Sequence, residues 1–150
     1  MTQHAEKRWT TAAEVNAVSC NTIMQALGIE VDEFSEDRIV LSMPISDATR
    51  QPFGLLHGGV NMVLAETAAS FHACWGIDLH EKVPVGIEIN GSHLNSADSG
   101  NVRAVGKVLR RSASLIVHEI EIFHNETGRL LCVSRVTNFY KKLKHKPVAS

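Results

Sequence analysis

The sequence predicts an α+β fold in which one antiparallel sheet wraps around a single long helix. Two short strand-like runs come first, and a long, mostly apolar stretch with helical spacing follows them. Four further strand-like runs lie after this stretch, separated only by short polar connectors. Strands joined by such connectors form hairpins, so the four runs are expected to build an antiparallel meander.

The first fifty residues contain a short helical segment and two strands. Residues 11–28 have helical character, and Gly28 is a typical helix stop because glycine adopts the left-handed conformation without strain. Glu30–Phe34 and residues 38–45 are predicted as strands on either side of a polar turn at residues 35–37.

The long helix is predicted to begin at Gly58 and Gly59 and to end near Gly76. It is rich in small side chains, which allow strands to approach it closely: Ala65, Ala68, Ala69, Ser70 and Ala73. After it the apolar period changes to two, which predicts strands at residues 83–94, 102–110, 115–123 and 130–139.

One sheet and one long apolar helix pack most simply if the sheet curls around the helix and the helix becomes the core, which is the hotdog arrangement. Alternation within residues 115–123 is imperfect, which is consistent with neither face of that strand being fully solvated, since Glu119 and Glu121 share a face with Leu115 and Val117. Ile116, Ile120 and Ile122 share one face of that strand with His118.

No linker or internal repeat divides the chain, so we expect one domain over residues 1–150, with an N-terminal helical segment at 1–28 and a basic tail at 141–150. The composition, 44% hydrophobic and 21% charged, is that of a globular protein. A net charge of -1 gives no field to attract nucleic acid or an anionic membrane. Three cysteines without a CxxC motif, and an N-terminus without an apolar signal core, predict a cytoplasmic protein with reduced thiols.

Glu66 is the only formally charged residue between Gly54 and Ile77. Two interpretations of it stay open. A helical glutamate ordinarily lies at the edge of a solvated stripe. Here the flanking stretch offers no other charge for such a stripe, which favours a carboxylate held in a mostly apolar site, where it suits the role of general base or nucleophile.

Gly58 and Gly59 follow His57 at the start of the same helix. The first amide N–H groups of a helix have no intrahelical partner, and together with the helix dipole they can polarise a carbonyl and hold an oxyanion. The alternative is that the two glycines only form a tight turn beneath a packed strand.

The spacing of these two groups has a geometric consequence. Gly58 and Glu66 are eight residues apart, so they lie roughly 12 Å apart along the helix axis. A single carbonyl carbon cannot contact both groups at bonding distance. If both act in one reaction, they must come from two subunits whose helices run antiparallel about a two-fold axis, which predicts a dimer with active sites at its interface.

Three segments carry a resemblance to a known family: LLHGGVNMVLAETAAS, VGIEINGSHLNS and RRSASLIVHEIEIF. They are similar to the hotdog acyl-CoA thioesterases of the phenylacetate-degradation (PaaI) type. Within that group the sequence resembles the branch that includes 1,4-dihydroxy-2-naphthoyl-CoA thioesterase and the proofreading thioesterase of enterobactin synthesis. The resemblance covers residues 38–140.

The resemblance implies catalytic roles for several residues. Glu66 matches the catalytic carboxylate, acting as nucleophile or general base, and Gly58 matches the residue whose N–H polarises the thioester carbonyl. Gln51 and His57 match a polar pair that orients the thioester, and Ser70 matches a helix residue that assists the water or the carboxylate.

The resemblance also implies the substrate pocket and the assembly. Ser92 and His93 match positions lining the acyl pocket, where His93 can bond an aromatic hydroxyl, and Phe71 departs from the family by its size and so alters the pocket's shape. The expected assembly is a homotetramer built of two dimers. No cofactor is expected, since coenzyme A is part of the substrate, and no spacing of residues indicates a metal site.

Other charged and titratable residues leave their roles open. Arg110 and Arg111 lie at a predicted hairpin, where they either hold coenzyme A phosphates or form a solvated turn. The basic tail either approaches a nucleotide phosphate or is a solvated terminus. His72 and His80 are expected at the surface or at a helix end, without a function.

The function expected from the sequence is hydrolysis of acyl-CoA thioesters, with aromatic or hydroxyaromatic acyl groups. One alternative is a hotdog enoyl hydratase or dehydratase, for which no Asp-x4-His segment is found after the first strands. Another is a non-catalytic acyl-CoA sensor, which has no need of Glu66.

Overall fold

The computed structural model describes residues 6–144 and contains one six-stranded antiparallel sheet with a 15-residue helix in its concave face. The helices are α1 (Ala12–Ala17), α2 (Ile23–Leu27) and α3 (Gly58–His72). The strands are β1 (Glu30–Phe34), β2 (Arg38–Pro44), β3 (Lys82–His93), β4 (Asn101–Arg111), β5 (Leu115–His124) and β6 (Leu130–Lys142).

The predicted helical start is two short helices rather than one. Thr11 caps α1 in a capping box with Glu14, and Asn21, with a φ of 58°, separates α1 from α2. Gly28 ends α2 in the left-handed conformation, as its position predicted.

The sheet order is β1-β2-β4-β5-β6-β3. The strands β4, β5 and β6 pair as consecutive hairpins, but the predicted four-strand meander is wrong for β3, which pairs with β6 on the far side while β2 lies beside β4. The connector between β3 and β4 does not form a hairpin, because its backbone hydrogen-bonds to Leu131, Leu56 and Ile45 instead. β3 is therefore an edge strand. Its second half is exposed along one whole side, including Ile87 and Ile89.

The helix α3 forms the core because its small residues let the strands approach. Ala65, Ala68 and Ala69 are fully buried, together with Leu64. On the facing strands the inward residues are also fully buried, among them Ile39, Leu41, Met43, Val102, Ala104, Ile116, Ile120 and Ile122. The α+β hotdog prediction is thus confirmed.

His72 was expected at the surface or at a helix end, and it is the last residue of α3. It is nevertheless fully buried, because its ring contacts His118 on the inner face of β5 and the carbonyl of Ser35. The helix ends there, four residues before Gly76, and residues 73–76 form turns. His80 is exposed, as expected.

Candidate active site

Glu66 lies in the middle of α3 and lines a cavity of about 530 Å³. The cavity opens between α3, the N-terminal segment and the start of β3. Its walls are largely apolar, with Trp9, Val18, Ile23, Met24, Phe71, Leu79, Val83 and Pro84 around the carboxylate. The second interpretation of Glu66, a carboxylate in a mostly apolar site, therefore fits its position, although the side chain is only partly buried within one subunit.

Two polar side chains connect Glu66 to the sheet. Ser70, one turn further along α3, donates a hydrogen bond from its Oγ to Glu66 Oε1 at 3.0 Å. Asn138, on the inner face of β6, donates from Nδ2 to Ser70 Oγ at 2.9 Å. The carboxylate is thereby tied to a fully buried residue of the central sheet.

Gly86 of β3 borders the carboxylate on its other side. A Cβ atom at this position would overlap Glu66 Oε1, so only glycine allows the strand to pass this close. The β3–β6 register shifts between Gly86 and Glu88, and such a bulge changes the direction of a strand locally. Backbone and side chain together therefore confine Glu66 to one position at the edge of the cavity.

Cys74 lines the same cavity, yet it is a poor nucleophile. Burial raises the pKa of its thiol to about 12, so the reactive thiolate is scarce at neutral pH. Glu66 is the group in this cavity with the chemistry to attack a carbonyl or to activate water.

Gly58 lines a second cavity, of about 240 Å³, at the N-terminal end of α3. Gln51 and His93 line it too, together with Asn61. The ring of His93 lies against Gly58, where a Cβ would come within 2.8 Å of its Nε2. Glycine at this position therefore has a packing reason that is independent of any role in catalysis.

The amides at the start of α3 divide between capping and free donors. His57 Nδ1 accepts the N–H of Gly59 at 2.9 Å, so His57 is the N-cap. The N–H of Gly58 makes no hydrogen bond within residues 6–144 and remains available to a carbonyl oxygen. Gln51 accepts the N–H of Phe53 through its Oε1, which leaves the side-chain NH2 as a donor.

The two cavities share no lining residue. One contains Glu66, Ser70 and Phe71, and the other contains Gly58 and Gln51. The helix is continuous between them, so the spacing of roughly 12 Å expected from the sequence holds. One subunit therefore brings the predicted catalytic residues into two groups and does not unite them.

The remaining predicted site residues lie outside both cavities. Ser92 is exposed on β3 next to His93. Arg110 and Arg111 end β4, and Arg111 Nη1 donates to the carbonyl of Trp75 and to Tyr140 Oη, both at 3.1 Å. Of the basic tail, residues 141 and 142 belong to β6, and residues 145–150 lie outside the described residues.

Three residues at the site were not predicted from the sequence. Asn138 carries a usable signal, because it alternates with the buried Val136 and Tyr140 on β6 and is the polar residue in that series. The sequence gives no such signal for Gly86 and Asn61, since their importance depends on which side chains approach them in space. Asn61 lies 3.5 Å from His93, measured from Nδ2 to Nδ1.

Two further structural findings concern metal binding and membrane-spanning helices. Within residues 6–144, no three His, Cys, Asp or Glu side chains cluster closely enough to hold a metal ion. No helix of the described chain has the length and apolar character needed to cross a membrane.

Known proteins resemble the chain in sequence and in fold. The 1,4-dihydroxy-2-naphthoyl-CoA hydrolase of Escherichia coli (strain K12) is 41% identical over 131 residues, which is 87% of this chain and 95% of that protein. The proofreading thioesterase EntH of Cronobacter turicensis is 38% identical over 87% of this chain and 94% of its own length. A crystal structure of a thioesterase from Haemophilus influenzae superposes with a TM-score of 0.86 at 36% identity, covering 95% of this chain and 98% of that one.

The pattern of the thioesterase superfamily matches residues 53–132, the stretch from the loop before α3 to the start of β6. This stretch contains both cavity-lining parts of α3 and the edge strand β3. The resemblance drawn from the sequence is confirmed. The chain belongs to the thioesterase superfamily and is a thioester hydrolase with the hotdog fold.

Proposed function

We propose that the protein hydrolyses acyl-CoA thioesters, with Glu66 of one subunit and the Gly58 amide of a second subunit acting on the same carbonyl. The observation that carries the proposal is the position of Glu66: a carboxylate at the edge of an apolar cavity, fixed by Ser70 and bordered by Gly86. A cavity of this kind holds an apolar acyl group, with the thioester carbonyl carbon next to the polar residue.

The division of the site between two cavities supports the two-subunit arrangement. A two-fold axis that sets two α3 helices antiparallel brings the Glu66 cavity of each subunit to the Gly58 cavity of the other. The exposed edge strand β3 supports the same arrangement, because its apolar Val85, Ile87 and Ile89 are open to solvent in one subunit. Two such dimers would form the tetramer expected from the sequence.

Glu66 acts in the catalytic step in one of two ways, as nucleophile or as general base. As nucleophile, Glu66 adds to the thioester carbon, coenzyme A leaves as the thiolate, and water then cleaves the resulting anhydride. As general base, Glu66 takes a proton from water as the water adds, and the thiolate leaves from the same tetrahedral intermediate. In both forms the Gly58 N–H holds the oxyanion, and Gln51 and His57 orient the thioester.

The proposed substrates are aromatic or hydroxyaromatic thioesters. The rings of Trp9 and Phe71 stand 5.9 Å apart at the wall of the Glu66 cavity and offer flat apolar contacts to an aromatic acyl group. His93 lies beside Gly58 and is placed to bond a ring hydroxyl, with Ser92 next to it on β3. The 41% identical relative from Escherichia coli is named a 1,4-dihydroxy-2-naphthoyl-CoA hydrolase.

The proposed reaction consumes only the thioester and water, so it requires no cofactor beyond the coenzyme A of the substrate. A cytoplasmic location belongs to the same proposal, since acyl-CoA esters are formed there and the three cysteines are free thiols, with Cys74 and Cys132 buried.

Thiol release from benzoyl-, phenylacetyl-, hydroxynaphthoyl- and hexanoyl-CoA tests the proposal. Turnover is expected to be highest for the aromatic esters, and Glu66→Gln is expected to lower kcat by roughly 10²- to 10⁴-fold because the base or nucleophile is lost. Glu119→Gln, on the outer side of β5, is the matched control and should keep full activity. Full activity of Glu66→Gln would refute the assigned role.

Mixing inactive subunits tests the shared site. The Glu66→Gln variant is refolded with a Gln51→Ala, His57→Ala double variant in equal amounts. Half the dimers are then mixed, each has one intact site of two, and activity should recover to about a quarter of the unmodified level. No recovery, despite mixed dimers shown by mass spectrometry, would mean that one subunit supplies the whole site. Tight binding of every ester without turnover by the unmodified protein would favour the sensor alternative.

A further inference from the structure

Asn138 is fully buried on β6, directly opposite Gly86 in the β3–β6 register. Its Nδ2 donates to Ser70 Oγ, which in turn donates to Glu66 Oε1. Three elements therefore meet at one carboxylate oxygen: α3 through Ser70, β6 through Asn138, and β3 through Gly86. None of the roles assigned above uses Asn138.

The hydrogen-bond chain has only one workable direction. An ionised carboxylate accepts and never donates, so the single proton of the Ser70 hydroxyl has to point to Glu66. The oxygen of that hydroxyl then needs a donor, which Asn138 Nδ2 provides at 2.9 Å. A reversed amide would offer Oδ1 to the Ser70 proton and compete with Glu66 for it.

The two polar atoms of the Asn138 amide differ in their hydrogen bonding. Asn138 Oδ1 is buried and has no hydrogen-bond partner within residues 6–144. A buried acceptor without a partner destabilises the fold, and an apolar residue of similar size would avoid that cost. The amide at this position is therefore explained by what its NH2 does to Ser70 rather than by the stability of the core.

We propose that Asn138 is a positioning residue of the catalytic site, which acts through Ser70 to hold the Glu66 carboxylate in the orientation that faces the thioester. The inference rests on the proposed role of Glu66. Without the amide, the Ser70 hydroxyl rotates freely, for example toward the backbone carbonyl one turn earlier, and Glu66 Oε1 loses its fixed donor. Glu66 then samples other rotamers, and the fraction of molecules aligned for attack falls.

A double-mutant cycle on Asn138 and Ser70 tests the inference. Asn138→Ala is measured in the unmodified protein and in the Ser70→Ala variant, using the best aromatic ester. Alone, it should lower kcat about tenfold and change KM less than about twofold, since it disturbs alignment and not binding. In the Ser70→Ala background it should cause no further loss of kcat, because the residue through which it acts is gone.

Further variants separate positioning from a general structural effect. Asn138→Leu keeps roughly the volume of the side chain but has no donor for Ser70 Oγ, so it should lower kcat about as much as Asn138→Ala. It also provides the test if the alanine variant does not fold. The same loss of kcat in both backgrounds of the cycle, or full activity of Asn138→Leu, would overturn the positioning role. Glu66→Gln is assayed beside them: if it is inactive while the cycle is additive, only the role of Asn138 fails, and if it is active, the proposed function fails as well.

Discussion

Two polar clusters connect α3 to the inner face of the sheet, and they differ in access to solvent. The acidic cluster, Glu66 with Ser70 and Asn138, opens onto a cavity of about 530 Å³. The histidine pair, His72 with His118, lies at the end of the same helix and is sealed from solvent. The same helix therefore presents one hydrogen-bonded polar cluster to an open cavity and another to the closed core.

The protonation of the histidine pair follows from its contacts. The carbonyl of Ser35 can only accept, so His72 Nε2 carries a proton and donates to it at 2.9 Å. In the neutral ring His72 Nδ1 is then an acceptor, and His118 Nε2 donates to it at 3.0 Å. Burial lowers the pKa of both rings, and the nearby Arg111 cation contributes to each shift. Repulsion from a charged His72 contributes as well for His118, whose pKa falls to about 3. Both rings are therefore neutral at physiological pH.

Removing His118 is expected to have the largest effect on stability. His118→Ala leaves His72 Nδ1 buried without a donor and opens a cavity against β5, so the free energy of unfolding should fall by about 3 kcal/mol. Urea unfolding measures the loss. Turnover per folded molecule should stay within about twofold, because the pair does not touch the acidic cluster. Glu66→Gln is the converse control, with reduced kcat and nearly unchanged stability, because the Gln oxygen can still accept the Ser70 hydroxyl proton. If the fully folded His118→Ala variant lost turnover, the histidine pair would also contribute to catalysis, and the two clusters would not differ in function.

Lowering the pH is expected to reduce the stability contributed by the histidine pair before it affects the surface carboxylates. Unfolded histidines bind a proton near pH 6.5, whereas the folded pair resists protonation to much lower pH. Below pH 6.5 the unfolded state therefore binds more protons, and stability falls by up to about 1.4 kcal/mol per pH unit for each histidine, most of it before the folded pKa of His118 is reached. Unfolding curves between pH 7 and 5 isolate this contribution, because the paired surface carboxylates respond only at lower pH.

A matched variant identifies the source of that slope. His118→Gln can still donate to His72 Nδ1 but carries no titratable ring, so its stability should depend less steeply on pH over the same interval. Replacing the exposed His80 by Gln should leave the slope unchanged. Equal slopes for the His118→Gln variant and the unmodified protein would show that other groups control the acid response.

The open side of the helix was more predictable from sequence than the closed side. Glu66 is a lone charge in a long apolar stretch, and Gly58 precedes it at a spacing that a regular helix fixes, so both groups and their separation could be inferred. Period-two alternation placed His118 on the same strand face as Ile116 and Ile120, and the structure shows that this face is buried. These inferences depend only on local geometry.

Contacts between distant segments were beyond such reasoning. His72 was expected at the surface or at a helix end; it does end α3, but the approach of β5 and the Ser35 carbonyl, which buries it, could not be predicted. Asn138 and Gly86 converge on Glu66 because the register pairs them across β3 and β6, which a single sequence does not specify. Side-chain patterns predict faces, while register and curvature decide which faces meet.

Arg111 gives the smallest expected effect and decides between the two roles left open for it. It borders the sealed end of α3, where its Nη1 bonds the Trp75 carbonyl and Tyr140 Oη. Arg111→Ala should lower the free energy of unfolding by about 1 kcal/mol and leave KM for the aromatic ester within about twofold. Arg110→Ala is the matched control and should change neither quantity, because its side chain is exposed at the same hairpin. A tenfold rise in KM for Arg111→Ala with unchanged stability would instead assign the guanidinium to the phosphates of coenzyme A. The substrate-binding surface would then extend to the C-terminal end of α3, which is closed to solvent in a single subunit.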